Sequence, residues 1–191
     1  MEQQNLAIFA SGNGTNAEEI FKYFNDHSSI SVNGLLTNNS NAQVLIRAAS
    51  NHIPCHIFNR EEFANGDKIL NTLRNWDINV LILAGFLWLI PEYLIDQYQD
   101  RILNIHPALL PQFGGKGMYG MHVHQVVLDS GQKESGITIH LVNNQYDRGR
   151  ILFQKRCSID PQDTPDTLAV KIHDLEHQYY PQVIEQWLSQ E

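Results

Sequence analysis

Residues 80–85 read Val80-Leu81-Ile82-Leu83-Ala84-Gly85, an apolar run without the alternation of a strand that has one wet face. A strand apolar on both faces is covered on both, which points to a parallel sheet with helices above and below it. The stretch therefore predicts the middle of an α/β sheet. Outward from it, Leu6–Ala10 and Ile30–Leu36 read as strands, and Ala17–Phe24, Gln43–Asn51 and Glu61–Trp76 as the helices between them. The last is read as one helix because Ile69, Leu73 and Trp76 are spaced to share a face.

Downstream, Pro91 is expected to open a short helix through Tyr98, its locked φ and missing N–H suiting a first turn. The segment RILNIHP at 101–107 reads as a strand ended by its proline, followed by strands at Gly136–Leu141 and Ile151–Ile159. Leu168, Ile172, Leu175, Tyr179, Val183 and Trp187 mark the apolar stripe of a C-terminal helix, which Pro181 should kink or interrupt. The expectation is a single α/β domain over residues 1–191 with a mostly parallel, Rossmann-like twisted sheet flanked by helices.

The composition narrows the function classes. Thirteen Lys and Arg against 21 Asp and Glu give a formal charge of −8, which opposes the phosphate attraction behind most nucleic-acid binding. The N-terminal apolar run Leu6–Ala10 is too short for a secretion signal or a membrane span, so a cytoplasmic protein without nucleic-acid or membrane partners is expected. Cys55 and Cys157 are too few for a disulfide framework and read as reduced, buried apolar filler.

Two stretches carry candidate chemistry. Ser11-Gly12-Asn13-Gly14-Thr15-Asn16 lies between the first strand and the first helix, where a tight turn and a helix N-terminus suit a phosphate. Gly12, Gly14 and Ala17 also satisfy a relaxed dinucleotide fingerprint, but Leu36-Thr37-Asn38-Asn39-Ser40 offers no acid to hold a ribose hydroxyl. A phosphate cradle is therefore favoured over nicotinamide binding, with an ordinary turn as the remaining alternative. The second stretch is Asn104-Ile105-His106. On a strand, residues two apart face the same way, so the carboxamide and the imidazole share one space at a strand's carboxyl end, where α/β ligand crevices open. The alternative is that His106 merely bonds backbone.

The run NIHPALLP at 104–111, LAGF at 83–86, the SGNGTN loop and Tyr146-Asp147-Arg148-Gly149 together resemble the folate-dependent formyltransferases, in order and over nearly the whole chain. The resemblance implies a formyltransferase-like fold and transfer of the formyl group of 10-formyltetrahydrofolate to an amine, with glycinamide ribonucleotide as the acceptor in purine biosynthesis. It puts Asn104, His106 and Asp147 on the catalytic positions, with His140 supporting the Asp147 loop. Gly12, Asn13, Gly14, Thr15, Asn16 and Glu176 fall on the acceptor's side. Phe86, Leu87, Trp88, Leu89, Ile90, Asn104, Asn143, Asn144, Gln145 and Tyr146 fall on the folate's.

By the same resemblance, residues up to about 100 form the phosphate-binding half and those from about 101 the catalytic and folate half, in a monomer or homodimer. Relatives that deformylate the folate with water, or formylate methionyl-tRNA or sugar amines, are the alternative; the deformylase usually carries an extra N-terminal domain and the tRNA enzyme an extra C-terminal one, and neither is expected in a chain of this length. Trp88 stands where many members have arginine, Arg148 and Arg150 flank Gly149, and Gly114–Gly120 is longer than usual.

The reaction needs no metal. His122 and His124, with His106 and His140, could supply imidazoles, but no CxxC accompanies them. A nucleotide-binding module without catalysis would need the loop and not the trio. The four glycines of Gly114-Gly115-Lys116-Gly117-Met118-Tyr119-Gly120 suggest a mobile lid in which Lys116 meets an anionic substrate, or else a plain glycine-rich turn.

Overall fold

The chain is described over residues 3–190 by a computed structural model. Strands β1 (Gln4–Phe9), β2 (Ile30–Thr37), β3 (Cys55–Ile57), β4 (Val80–Leu83), β5 (Ile102–His106), β6 (Glu134–Leu141) and β7 (Ile151–Ser158) form one sheet in the order β3-β2-β1-β4-β5-β6-β7. The pairings from β3 to β5 are parallel, and β5–β6 and β6–β7 are antiparallel. The expected α/β architecture with a mostly parallel sheet is what the chain adopts.

β4 lies mid-sheet, and its residues divide between two cores as the period of a strand demands. Val80 and Ile82 pack with Leu6, Ile8, Leu103 and Ile105 against α1 (Thr15–Phe24), α6 (Gly120–Asp129) and α7 (Pro165–Leu188). Leu81 and Leu83 pack with Ala7, Phe9 and Ile102 on the other face, against α4 (Asp67–Asn75) and α5 (Glu92–Gln97). Tyr180 of α7 is fully buried, and its hydroxyl contacts the carbonyl oxygens of Leu83 and Leu103 at 3.0 and 3.1 Å. It ties the ends of β4 and β5 to the helix layer.

Several local expectations are corrected. Glu61–Trp76 is two helices, α3 (Arg60–Asn65) and α4, divided at Gly66, whose φ of 86° breaks the helix. A Cβ there would meet the Tyr93 ring at 2.8 Å. A reciprocal Asn59–Glu62 capping box starts α3. Pro91 caps α5 in an extended conformation instead of sitting inside it. α7 runs through Pro181 uninterrupted, begun by a Thr164–Thr167 capping box with Pro165 in its first turn. Cys55 is exposed on the short edge strand β3, while Cys157 is half-buried. Helix α2 (Val44–Ser50) is close to its expected place. Among the described residues, no helix is long and apolar enough to cross a membrane.

Candidate active site

A cleft of about 1260 Å³ opens at the carboxyl ends of the parallel strands. It is bounded by Gly12–Asn16 and by Phe86–Leu89, with Asn104, His106 and Asp147 also lining it.

The first boundary is held tightly. Gly14 has φ 75°, and a Cβ on it would lie 2.2 Å from Val44, so both backbone and packing require glycine. The Gly12 carbonyl accepts from the Val44 N–H, and Arg47 donates from Nε and Nη2 to the Asn13 carbonyl and carboxamide oxygens at 2.9 Å while pairing with Glu18. No side chain caps α1, so no capping group competes with an anion at its first turn. Asn16 donates from Nδ2 to Glu176 Oε2 at 2.9 Å, joining the loop to α7. Glu176 is buried, and burial pushes its carboxyl up to about 7 despite the Asn16 bond.

The floor is built by β5 and β6. Ile102 packs into the core, so Asn104 and His106 share its face of β5, and the antiparallel register sets them opposite His140 and Thr138. Thr138 Oγ1 donates to the Ala108 carbonyl at 2.7 Å and accepts from the Leu110 N–H at 3.0 Å, fixing the chain as it leaves the strand after Pro107. His140 Nδ1 is 2.9 Å from the Leu141 carbonyl, which only accepts, so Nδ1 carries a proton. In the neutral ring Nε2 then accepts from Asn104 Nδ2 at 3.0 Å.

Asp147 sits above this pair in the left-handed region, φ 54°, where aspartate is better tolerated than most residues. Gly149 lets the turn close: a Cβ there would lie 1.6 Å from the Leu141 carbonyl. Asp147 Oδ2 accepts from the Gly115 N–H at 2.8 Å, and Oδ1 stands 3.6 Å from His106 Nδ1 and 3.7 Å from His140 Nε2. Neither distance is a hydrogen bond. Each becomes an ion pair when the ring is protonated. Burial pushes the Asp147 carboxyl up, but His140, His106 and the Gly115 N–H outweigh it and hold it below the ordinary carboxylate range.

His106 is buried, and its Nε2–H donates to the Phe113 carbonyl at 2.7 Å. Burial holds the imidazole below its ordinary value, against the pull of Asp147 and Phe113. A protonated His106 donor is therefore opposed in this conformation, and its outer N–H is already engaged.

The structure brings Gly12–Asn16, Glu176, Phe86–Leu89, Asn104, His106, Tyr146 and Asp147 onto one cleft, with His140 directly behind Asn104. Ile90 faces the core, and Asn143, Asn144 and Gln145 do not line the cleft. Ala84–Leu89 and Pro91 line the cleft together with Ala169, His173 and Glu176 of α7. His122 and His124 lie on a helix, where residues two apart diverge, and His122 is exposed while His124 is buried. Among the described residues, no three His, Cys, Asp or Glu side chains are grouped to hold a metal.

Sequence reasoning missed Arg60, whose guanidinium lies 4.5 Å over the Trp88 ring, and the cleft-lining His124 and His173. Only the spacing of Ala169, His173 and Glu176, four and then three apart, signalled that His173 shares a face with Glu176.

The fold is that of a one-carbon transfer family: the chain matches the formyl transferase family over residues 4–184 and belongs to it. Within it, the similarity is to proteins named phosphoribosylglycinamide formyltransferase. The Bacillus subtilis protein of that name is 37% identical, over 96% of this chain and 94% of its own length. A chloroplastic protein of that name from Arabidopsis thaliana is 42% identical over 95% of this chain. This chain spans 64% of that plant relative and 61% of one from Vigna unguiculata. The crystal structure of the Bacillus halodurans protein superposes with a TM-score of 0.89 at 34% identity, covering 97% of this chain and 96% of that one.

Proposed function

We propose that this protein transfers the formyl group of 10-formyltetrahydrofolate to the amine of glycinamide ribonucleotide; its relatives are named for formyl transfer to phosphoribosylglycinamide. The observation that carries the reading is the cleft itself. Asn104, His106 and Asp147 share one cleft with an uncapped helix N-terminus suited to the acceptor's phosphate and with an aromatic wall, Phe86 and Trp88, suited to a flat ring.

The acceptor's amine attacks the formyl carbon, a tetrahedral oxyanion forms, the new C–N bond sheds one proton, and the carrier nitrogen leaves with one. Asn104 has a second N–H beyond the one given to His140, and that donor meets the oxyanion, an effect worth about 10²–10³ in rate. Asp147, ionised at neutral pH, takes the amine's proton directly or through water, typically worth about 10²–10⁴. His106, neutral with its proton on Nε2, joins as oxyanion donor once that N–H parts from Phe113, and the proton that Asp147 takes from the amine passes on, directly or through water, to the carrier nitrogen as it leaves. The 10-formyltetrahydrofolate is a co-substrate, and no step calls for a metal.

The test is an assay of purified protein with the formyl folate and each acceptor in turn, following tetrahydrofolate release. Release matched one to one by formylated glycinamide ribonucleotide supports the reading. Equal release with no acceptor identifies a deformylase, and preference for another amine a sister transferase; either overturns it.

A further inference from the structure

We propose that His173 is the side-chain charge partner of the acceptor's phosphate, binding it as an imidazolium and taking up a proton as the nucleotide enters. The assignment rests on the reaction proposed above and extends it to how the phosphate is recognised.

Ala169, His173 and Glu176 form one stripe of α7 facing the cleft. The Asn16–Glu176 bond pins that stripe to the phosphate loop, and His173 lies one helical turn away, about 5–6 Å between Cβ atoms. Of the permanent cations near the cleft, Arg47 is committed to Asn13 and Glu18 and Arg60 covers Trp88, while Lys116 lines the cleft from the glycine-rich loop and not from the helix face that the phosphate loop is pinned to.

The corner is also short of internal partners. Asn16 Oδ1 and His124 Nδ1, both on cleft-lining residues, are buried with no protein hydrogen bond, and His124 is only 3% exposed. His124 faces His173 from α6, while His177, stacked at 6.2 Å, and Asp174 and Glu176 act from its own helix. His173 is solvent-exposed, and partial desolvation together with His177 lowers its imidazole, against Asp174. The free ring is therefore neutral at pH 7.5, and a phosphate dianion beside it raises its proton affinity.

Calorimetric titration with glycinamide ribonucleotide at pH 7.5, in buffers of differing ionisation enthalpy, counts the protons taken up. The wild type is expected to take up a large fraction of one proton, and its Kd to rise with pH between about 6.5 and 8.5, where the phosphate is dianionic. His173→Gln should abolish the uptake and weaken binding at pH 6.5 about tenfold. His173→Lys, with a permanent charge, should keep the affinity and lose the uptake. Because Glu176 titrates nearby, the uptake must also survive in Glu176→Gln.

Repeating the titrations with ribose 5-phosphate reads the phosphate corner without the amine. Unchanged uptake and Kd in His173→Gln, or no binding of either phosphate ester to the wild type, overturns the assignment. Wild-type formylation of glycinamide ribonucleotide alongside an indifferent His173→Gln sinks this assignment alone. Phosphate-dependent binding without turnover sinks the reaction instead.

Discussion

Asn104 of β5 stands directly across the antiparallel ladder from His140 of β6, and its carboxamide donates to the His140 ring at 3.0 Å. The Leu141 carbonyl fixes which ring nitrogen receives that bond. His140 thereby orients the Asn104 carboxamide without itself needing to touch substrate. His140→Phe should lower kcat about tenfold to a hundredfold through a loosened Asn104, with both KM values nearly unchanged. Steady-state kinetics decide it: an unaltered kcat, or a loss confined to KM, removes the positioning role.

The trio itself should behave as chemistry, not as packing. Asn104→Ala and Asp147→Asn are each expected to cut kcat by about 10²-fold or more while the melting temperature stays close to that of the wild type. His106→Ala should cost as much activity and also some stability, since the ring is buried and bonded to Phe113. Near-normal turnover in His106→Ala would remove this mechanism.

Glu176 makes a prediction about stability. Its folded carboxyl, at about 7, lies above the ordinary 4.5, so the folded chain binds the extra proton between those values. The stability it contributes is fully present below about pH 4.5 and is lost as pH rises through 7. Glu176→Gln should therefore gain up to roughly 3 kcal/mol over the wild type at pH 8 and little at pH 4.5. Denaturant unfolding across that range measures it, and a pH-independent difference contradicts it.

For the phosphate loop, Thr15→Asp places a carboxylate at the start of α1, where the acceptor's phosphate is expected. The KM for the nucleotide should rise strongly and that for the folate little. Equal effects on both would place the loop's role elsewhere.

Gly114 separates structure from chemistry in another way. A Cβ on it would meet Leu110 at 2.4 Å and the Asp147 Cβ at 2.9 Å, so Gly114→Ala should push the Asp147 carboxylate from its place. Activity is expected to fall at least tenfold with a modest drop in melting temperature. Retained activity would mean that Asp147 tolerates displacement.

Much of this was legible in the chain. VLILAG announced a doubly covered strand because it had no polar face to hide, and the Asn104–His106 pair follows from the period of a strand. Local signals misled where two patterns overlapped. The spacing of Ile69, Leu73 and Trp76 belongs to α4 and its C-cap alone, and Gly66 was the visible break. α6 was obscured by His-x-His, although Val123 and Val127, four apart, are its buried face. Long-range relations had no local trace at all. That Asn104 meets His140 depends on a register between strands 36 residues apart in sequence. That Phe113 occupies the His106 N–H, or that Asp147 adopts a left-handed backbone, depends on how a turn closes.

The reacting floor comes from one continuous stretch, β5 through the turn after β6, whereas the acceptor corner is assembled from α1's entry and a face of α7. If the proposed roles hold, substitutions on α7 alter which acceptor is seated while β5 and β6 keep the reacting groups in place. The helix face and the strand pair are then separately adjustable parts of one cleft.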